Sequence, residues 1–199
     1  MSEIITDMKS AFDIFWNKLN AYYDKNYNCK PTVYYTKKLN PELFLQVYNK
    51  IEARFIPCEK DVNGYIQWQP MPQGEPVDFN VIENHVGFAL KEELRSYYST
   101  YLFLELRGGI GRNYFHYQPI NRVSDIANIV FFQHEKAQTP FPESETFCLG
   151  HAVLEGNDSF GIYYNNAEGK VFCHDYDSNS VVVFHDSLAE TIAEMEAVG

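Results

Sequence analysis

The spacing of apolar residues predicts a helix at each end of the chain. Near the N-terminus they recur every three or four positions with polar residues between them, which indicates an amphipathic helix of about five turns. Its predicted buried stripe consists of Ile4, Ile5, Met8, Phe12, Phe15, Trp16, Leu19 and Tyr23. Near the C-terminus Ser187 stands three residues before Glu190, the spacing of a capping box, so a closing helix begins there. Its apolar stripe consists of Leu188, Ile192 and Met195.

Residues 65 to 106 form the stretch around which we expect the other elements to be arranged. Aromatic and β-branched residues at 65–68 predict a short strand at its start. Three prolines follow, at positions 70, 72 and 76, and a proline cannot donate a hydrogen bond to a neighbouring strand. The strand is therefore predicted to end where the prolines begin.

A helix is predicted directly after the prolines. Asn80 stands three residues before Glu83, the spacing at which an N-cap side chain and a glutamate satisfy each other's backbone amides. We therefore predict a helix that begins at Val81 and covers residues 81–100, followed by a strand at 101–106. The buried face of the helix consists of Ile82, Val86, Leu90, Leu94 and Tyr97 or Tyr98.

Alternation of apolar and polar residues is clearest in the C-terminal third. It predicts four strands, at residues 147–154, 159–164, 170–174 and 180–184. The segments between them contain Asn, Asp and Gly, which accept the positive φ angles of tight turns. The economical topology is a meander of hairpins.

Three other segments give weaker patterns. Residues 32–36 are compatible with a short strand, and residues 126–132 with either a strand or the end of a helix. Pro41 follows Asn40 and predicts the first turn of a helix. The apolar residues of that helix are Leu43, Val47 and Ile51.

The overall composition is that of a globular protein. The chain has 199 residues, enough for one well-buried core, and 45% of them are hydrophobic. The longest apolar runs are far shorter than the roughly 20 residues that cross a bilayer, and the first residues lack the pattern of a signal peptide. The four cysteines are scattered, without a C-x-x-C pair, which favours reduced thiols. These features predict a single cytoplasmic domain over residues 1–199.

Negative charge is concentrated in the last third of the chain. The formal net charge is −11, and residues 134–199 carry 12 acidic side chains against only Lys136 and Lys170. Such a field repels nucleic acid and anionic lipid, and it speeds encounter with a basic protein. The alternative interpretation is a solvated acidic face that keeps the protein soluble.

Two patterns resemble reactive or anion-binding sites. Cys148 and His151 lie three residues apart, but in an alternating strand such residues point to opposite faces, so we do not predict catalysis there. The glycine-rich residues 107–112 resemble an anion-binding nest, but they lack the P-loop lysine and the dinucleotide fingerprint. We predict a hairpin turn at that position.

A third pattern resembles half of a calcium loop. Asp175, Asp177 and Asn179 have the spacing of its first three ligands, and Asp186 stands at the twelfth position. Ser180 replaces the glycine that the loop requires, and strand-like residues fill its second half. We therefore predict a polar hairpin turn, and neither a metal, a cofactor nor an enzymatic site.

Several short motifs, taken in order, resemble the Syd family of the SUKH superfamily. They begin with Trp68-Gln-Pro-Met-Pro and continue through Ile82-Glu83, residues 86–88, Leu90, residues 93–94 and residues 97–98. The likeness extends to residues 149–151, 159–162, 168–171 and 186–188, and so spans most of the chain. Residues 38–62 are a possible insertion relative to this family.

The resemblance implies both a fold and a function. We expect an α+β domain with a mixed, strongly bent sheet of about five or six strands and helices packed mainly on one side. A Syd-like protein would be non-enzymatic and would bind the basic cytosolic loops of the SecY translocon subunit. It would be associated with the membrane only peripherally, through this protein partner. The alternative is an immunity protein of the same superfamily that blocks a basic nuclease or deaminase toxin.

The resemblance and the charge distribution together suggest one acidic concave binding surface. We predict that it consists of Glu75, Asp78, Glu155, Asp158, Asp175 and Asp177. Glu83, in the first helical turn, is either a helix cap or a further contact. Trp68 is either a core anchor or a partly exposed contact.

Overall fold

The computed structural model describes residues 7–36, 38–45 and 65–198. The α-helices of this part are α1 Met8–Tyr27, α2 Phe79–Val86, α3 Glu92–Thr100, α4 Ile126–Gln138 and α5 Leu188–Glu194. The strands before α4 are β1 Thr32–Tyr34, β2 Tyr65–Gln67, β3 Met71–Pro72, β4 Tyr101–Leu102, β5 Leu106–Ile110 and β6 Asn113–Tyr117. The strands after it are β7 Thr146–Leu154, β8 Asn157–Asn165, β9 Lys170–Asp175 and β10 Val181–His185.

Six strands, β5 to β10, form the main sheet, and they lie side by side in chain order. The strand number and the C-terminal meander were predicted correctly. The predicted mixed sheet was wrong, because every described pairing in it is antiparallel. Short turns join four of the five neighbouring pairs, and a tight turn can connect only antiparallel strands. Two small antiparallel sheets, β1–β2 and β3–β4, lie beside it.

The main sheet is strongly curled, and its concave face covers the main core. Phe184 on the edge strand β10 contacts Phe115 on β6, with ring centroids 4.9 Å apart. Helices α1, α3 and α5 contribute their buried stripes to the same core. The end of α4 reaches the convex face, where Ala137 packs with Cys148.

Helix α1 forms as its sequence pattern predicted. Asp7 is the N-cap, and its carboxylate accepts hydrogen bonds from the amides of Lys9 and Ser10. The predicted stripe from Met8 to Tyr23 is buried, while Ile4 and Ile5 lie outside the described residues. Each fully buried large side chain of this kind stabilises the fold by about 1.5–3 kcal/mol relative to an exposed one.

The single helix predicted for residues 81–100 is two helices. Asp78, not Asn80, is the N-cap of α2, since its carboxylate accepts from the amide of Asn80. Gly87 ends α2 in the left-handed conformation, with φ 88°, which glycine adopts at little cost. Most of the predicted buried face is confirmed, because Ile82 of α2 and Leu94, Tyr97 and Tyr98 of α3 are buried. Leu90 is buried in the segment between the two helices, and Val86 is half-buried.

The proline-rich crossing contains a strand that the sequence did not predict. Met71 and Pro72 pair with Leu102 and Tyr101 to form the β3–β4 sheet. A proline is tolerated there because a two-stranded sheet has open edges that need no donor. The predicted strand at 101–106 is correspondingly divided between β4 and the start of β5.

Residues 38–45 include the first part of the possible insertion 38–62. Pro41–Leu43 is one 3-10 turn, and Asn40 caps it by accepting from the amide of Glu42. Phe44 is extended and ends the turn, while Leu43 and Phe44 are both buried in the main core. The predicted continuation through Val47 and Ile51 lies outside the described residues.

The remaining sequence patterns correspond to clear elements. Residues 126–132 are helical and belong to α4. The glycine-rich residues 107–112 form the predicted hairpin, with Gly111 at φ 62° in its turn. In β5, Gly109 exchanges two 2.8 Å backbone hydrogen bonds with Glu196. The segment that follows α5 therefore pairs with β5, on the far side of the sheet from β10.

Candidate protein-binding surface

A groove opens at one end of the curled sheet, between β10 and the β6–β7 pair. It has a volume of about 530 Å³. Its apolar walls are Leu154, Phe160, Val182 and Phe184. Its polar lining consists of Asn113, Glu155 and Asn157. We call it the mouth groove.

Three exposed carboxylates lie at the same end of the sheet as the mouth groove. Successive strands run in opposite directions, so the turns β5–β6, β7–β8 and β9–β10 share one end. Glu155 is in the second of these turns, Asp158 follows it at the start of β8, and Asp177 is in the third. We call these three side chains the acidic rim. Arg112, in the β5–β6 turn, lies at this end as well.

Asp175 was predicted as a contact, but its side chain is buried and belongs to the β9–β10 turn. Its carboxylate accepts hydrogen bonds from the Ser178 hydroxyl at 2.8 Å, the Asp177 amide at 2.9 Å and the Ser159 hydroxyl at 2.8 Å. These donors favour the charged form and lower the pKa of Asp175 to about 2. Asp175 therefore fixes the turn that presents Asp177, and the pattern that resembled a calcium loop is the predicted hairpin.

Trp68 occupies the position of a core anchor. Its side chain is fully buried, and it packs edge-to-face on Trp16 of α1 with ring centroids 6.0 Å apart. Its backbone amide donates to Pro31 at 2.9 Å. No part of the ring is exposed for a partner in this structure, so the core-anchor interpretation describes it.

Glu83 connects the two helices that replace the single predicted one. Its carboxylate accepts from the Leu90 amide at 2.7 Å and from the Arg95 Nε at 3.0 Å, and it also pairs with the Arg95 Nη2. The Leu90 amide is the largest cause of a lowered pKa at Glu83, and Arg95 adds to it. The side chain thus bridges α2 and α3, and it does not form the capping box that the sequence suggested.

Glu75 and Asp78 lie away from the acidic rim. Both are exposed, and Asp78 is the N-cap of α2. Glu75 lines a different groove together with Arg122, which follows β6 at the opposite end of the sheet. The structure therefore places Glu155, Asp158 and Asp177 at one end of the sheet, and of these three Glu155 lines the mouth groove. Glu75 lies in the other groove.

The apolar walls of the mouth groove were not identified as a site from the sequence. In the sequence, Leu154, Phe160 and Phe184 have the pattern of ordinary inward-facing strand residues. Alternation of apolar and polar residues predicts which face of a sheet is buried, but it does not predict how strongly the sheet curls. Only the contact between β10 and β6 shows that these three positions border an opening.

Three further side chains with titratable or nucleophilic groups are those of His116, Cys148 and His151. His116 and His151 face each other on the convex side of the sheet, with ring centroids 4.7 Å apart, and burial lowers the pKa of His116. Cys148 is buried against Ala137 and Phe172 on the same convex side. The prediction that Cys148 and His151 point to opposite faces was wrong, because a register shift between Cys148 and Gly150 interrupts the alternation of side chains along β7. Among the described residues, no three His, Cys, Asp or Glu side chains are grouped to hold a metal.

No protein-family model matches the chain, and no curated protein shows significant similarity to it. The resemblance to the Syd family therefore rests on the residue motifs alone. None of the described helices has the length and hydropathy needed to cross a membrane.

Proposed function

We propose that this protein is a non-enzymatic binding module that captures a basic segment of another protein. The observation that carries the proposal is the mouth groove with the acidic rim at the same end of the sheet. The apolar walls offer area for burial, and carboxylates at the same end of the sheet give electrostatic preference and a faster encounter. Lys- and Arg-rich segments that also contain apolar residues have the complementary chemistry.

The residue motifs point to the partner within this class. They resemble the Syd family, so we propose a Syd-like role in the cytoplasm, in which the module binds cytosolic loops of SecY and regulates or monitors the translocon. Cytoplasmic loops of membrane proteins carry an excess of Lys and Arg, which suits an acidic receptor. The remaining acidic charge of the C-terminal third, spread over α5 and the turns, would add long-range attraction.

The experiment that tests this proposal measures binding of labelled synthetic peptides that cover the cytosolic loops of SecY. We expect a dissociation constant that rises by at least about tenfold between roughly 50 and 500 mM salt, because exposed charges are screened. The control is the same peptides with each Lys and Arg replaced by Glu, which should not bind. Salt-independent affinity, or equal binding of the acidic peptides, would contradict the proposal. Tight binding of a basic toxin domain with no binding of SecY loops would instead assign the immunity role.

A further inference from the structure

The last strand of the main sheet presents an apolar edge. Among residues 7–36, 38–45 and 65–198, β10 stands at the end of the strand order and pairs with β9 alone. Three consecutive valines on it are exposed, with 50% of Val181, 42% of Val182 and 61% of Val183 accessible. Proteins ordinarily blunt such edges with lysine, proline or a covering element, because a flat apolar edge pairs with other chains. In the part of the chain that the structure describes, none of these covers Val181 to Val183, and the register of β10 with β9 shifts only after Val183.

The hydrogen-bond phase of β10 shows which backbone groups are free to pair. The Asp175 amide donates to the Ser180 carbonyl at 2.9 Å, so that pair is a hydrogen-bonded one. Hydrogen-bonded and non-bonded pairs alternate along an antiparallel ladder, and Val181, Val182 and Val183 lie opposite His174, Cys173 and Phe172. Val182 is therefore bonded to β9, whereas the N–H and C=O groups of Val181 and Val183 point to the open side.

The surroundings of this edge are acidic and adjoin the mouth groove. Asp177 lies in the turn before β10 and Asp186 directly follows it, and both are exposed. The side chains of Val182 and Phe184 form one wall of the groove, which Glu155 also lines. Two copies of β10 paired antiparallel would place Asp177 of each beside Asp186 of the other, and each chain carries a net charge of −11. Repulsion between like charges therefore disfavours a second copy of the protein on this edge. The same acidic side chains attract a basic chain.

We propose that an extended basic segment of the partner adds to β10 as a further antiparallel strand. The inference rests on the proposed function and specifies its docking mode. The backbone of the segment pairs with Val181 and Val183, and its alternate apolar side chains enter the mouth groove beside Val182 and Phe184. Its Lys and Arg side chains reach Asp177, Asp186 and Glu155. Main-chain pairing supplies affinity in this arrangement, and the groove and charges supply selectivity.

The test is amide hydrogen exchange of β10, measured by NMR with and without a synthetic peptide of alternating lysine and valine. Exchange of the Val181 and Val183 amides should slow by at least about tenfold at saturation, since each gains a partner. The Val182 amide, already bonded to β9, should change little. A peptide of alternating glutamate and valine should give no slowing. This alternating pattern is specific for strand addition at the edge.

Two substitutions at one position give an independent check. Val183→Pro removes the outward N–H at an edge position, where proline is tolerated, and should weaken peptide binding at least about fivefold. Val183→Thr keeps the N–H and the branched side chain and should bind as the unmodified protein does. Circular dichroism melts of both variants show whether they fold. If the proline variant does not fold, the hydrogen exchange of the unmodified protein with peptide decides whether a strand is added at β10.

The outcomes separate the docking mode from the proposed function. Salt-sensitive binding of the basic peptide without slower exchange at Val181 and Val183 overturns strand addition and leaves the proposed function standing. Absence of binding by both this peptide and the SecY loop peptides overturns both. Slow exchange at Val181 and Val183 that grows with protein concentration in the absence of peptide would show a second copy on the edge, and it overturns the basic partner.

Discussion

Phe184 packs edge-to-face on Phe115, with ring centroids 4.9 Å apart, although three strands separate their own strands in the sheet. This contact requires the sheet to curl until β10 faces β6. The curl leaves the mouth groove between them, and it brings the apolar faces of both strands toward one opening. The proposed binding surface is thus a consequence of how the meander closes, and not of any single motif.

Trp68 should matter for stability and not for recognition. We expect Trp68→Ala to lower the free energy of unfolding by about 3–5 kcal/mol, because the ring is fully buried against Trp16 and its removal leaves a cavity. Trp68→Phe keeps an aromatic ring and should cost clearly less. Urea unfolding measures both changes. Trp68→Phe should bind SecY loop peptides as the unmodified protein does. A folded Trp68→Phe variant that lost binding would show that Trp68 contributes to recognition of the partner.

Glu83 should make stability depend on pH. Its folded pKa is lowered, chiefly by the Leu90 amide, so its stabilising effect is present above the unfolded pKa of about 4.3 and is lost as pH falls through the folded pKa. At pH 7 Glu83→Gln should therefore lower the free energy of unfolding by about 1–3 kcal/mol. The difference between the two proteins should shrink toward zero as the pH falls below about 4.

Urea unfolding from pH 7 down to the acid limit of the folded state measures this difference. The exposed Glu135→Gln on α4 is the control, with an expected effect within about 0.5 kcal/mol at every pH. A Glu83→Gln difference that stays constant across the pH range would show that the carboxylate charge does not stabilise the α2–α3 bridge.

The sequence predicted the elements better than it predicted their connections. Helix α1, helix α5 and the C-terminal strands follow from periodicity, because a buried stripe on a regular element repeats visibly. The break between α2 and α3 at Gly87 was missed because the helical spacing of apolar residues continues from Val86 to Leu90 across it. Such spacing shows which side chains face the core, but not where the chain changes direction.

The candidate site was predicted only in part, for a related reason. Glu155, Asp158 and Asp177 were identified because charged residues in turns are usually exposed. Asp175 was grouped with them, since a sequence does not show that Ser159, sixteen positions earlier, donates to its carboxylate. Glu75 was included because the sequence does not show at which end of the sheet the segment before α2 lies. In the structure Glu75 shares a groove with Arg122, which follows β6 at the end opposite the acidic rim.

Calcium should leave the melting temperature unchanged. The Asp175 carboxylate already accepts three hydrogen bonds, and the Asn179 side-chain oxygen lies 2.7 Å from the His174 Nε2. A calcium ion requires six to eight oxygen ligands, so binding would have to break this turn. Thermal melts at about 5 mM calcium, with magnesium at the same concentration as the ionic-strength control, measure the effect. A rise specific to calcium would show that the turn rearranges into a metal site.

The acidic rim tests the central claim most directly, through a triple reversal of Glu155, Asp158 and Asp177 to Lys. The matched control reverses Glu75, Glu135 and Glu143, which are exposed elsewhere and give the same change in net charge. Glu143 also matches Glu155 in having a positive φ. Both variants should melt nearly as the unmodified protein does, because exposed charges contribute little to stability.

The decisive quantity is the dissociation constant for SecY loop peptides at one low salt concentration. We predict that the rim variant binds at least about tenfold more weakly than the matched control, since its local charges oppose the partner's. Equal losses in the two variants would show that only overall charge matters. A folded rim variant that bound the peptides as tightly as the unmodified protein would contradict the account.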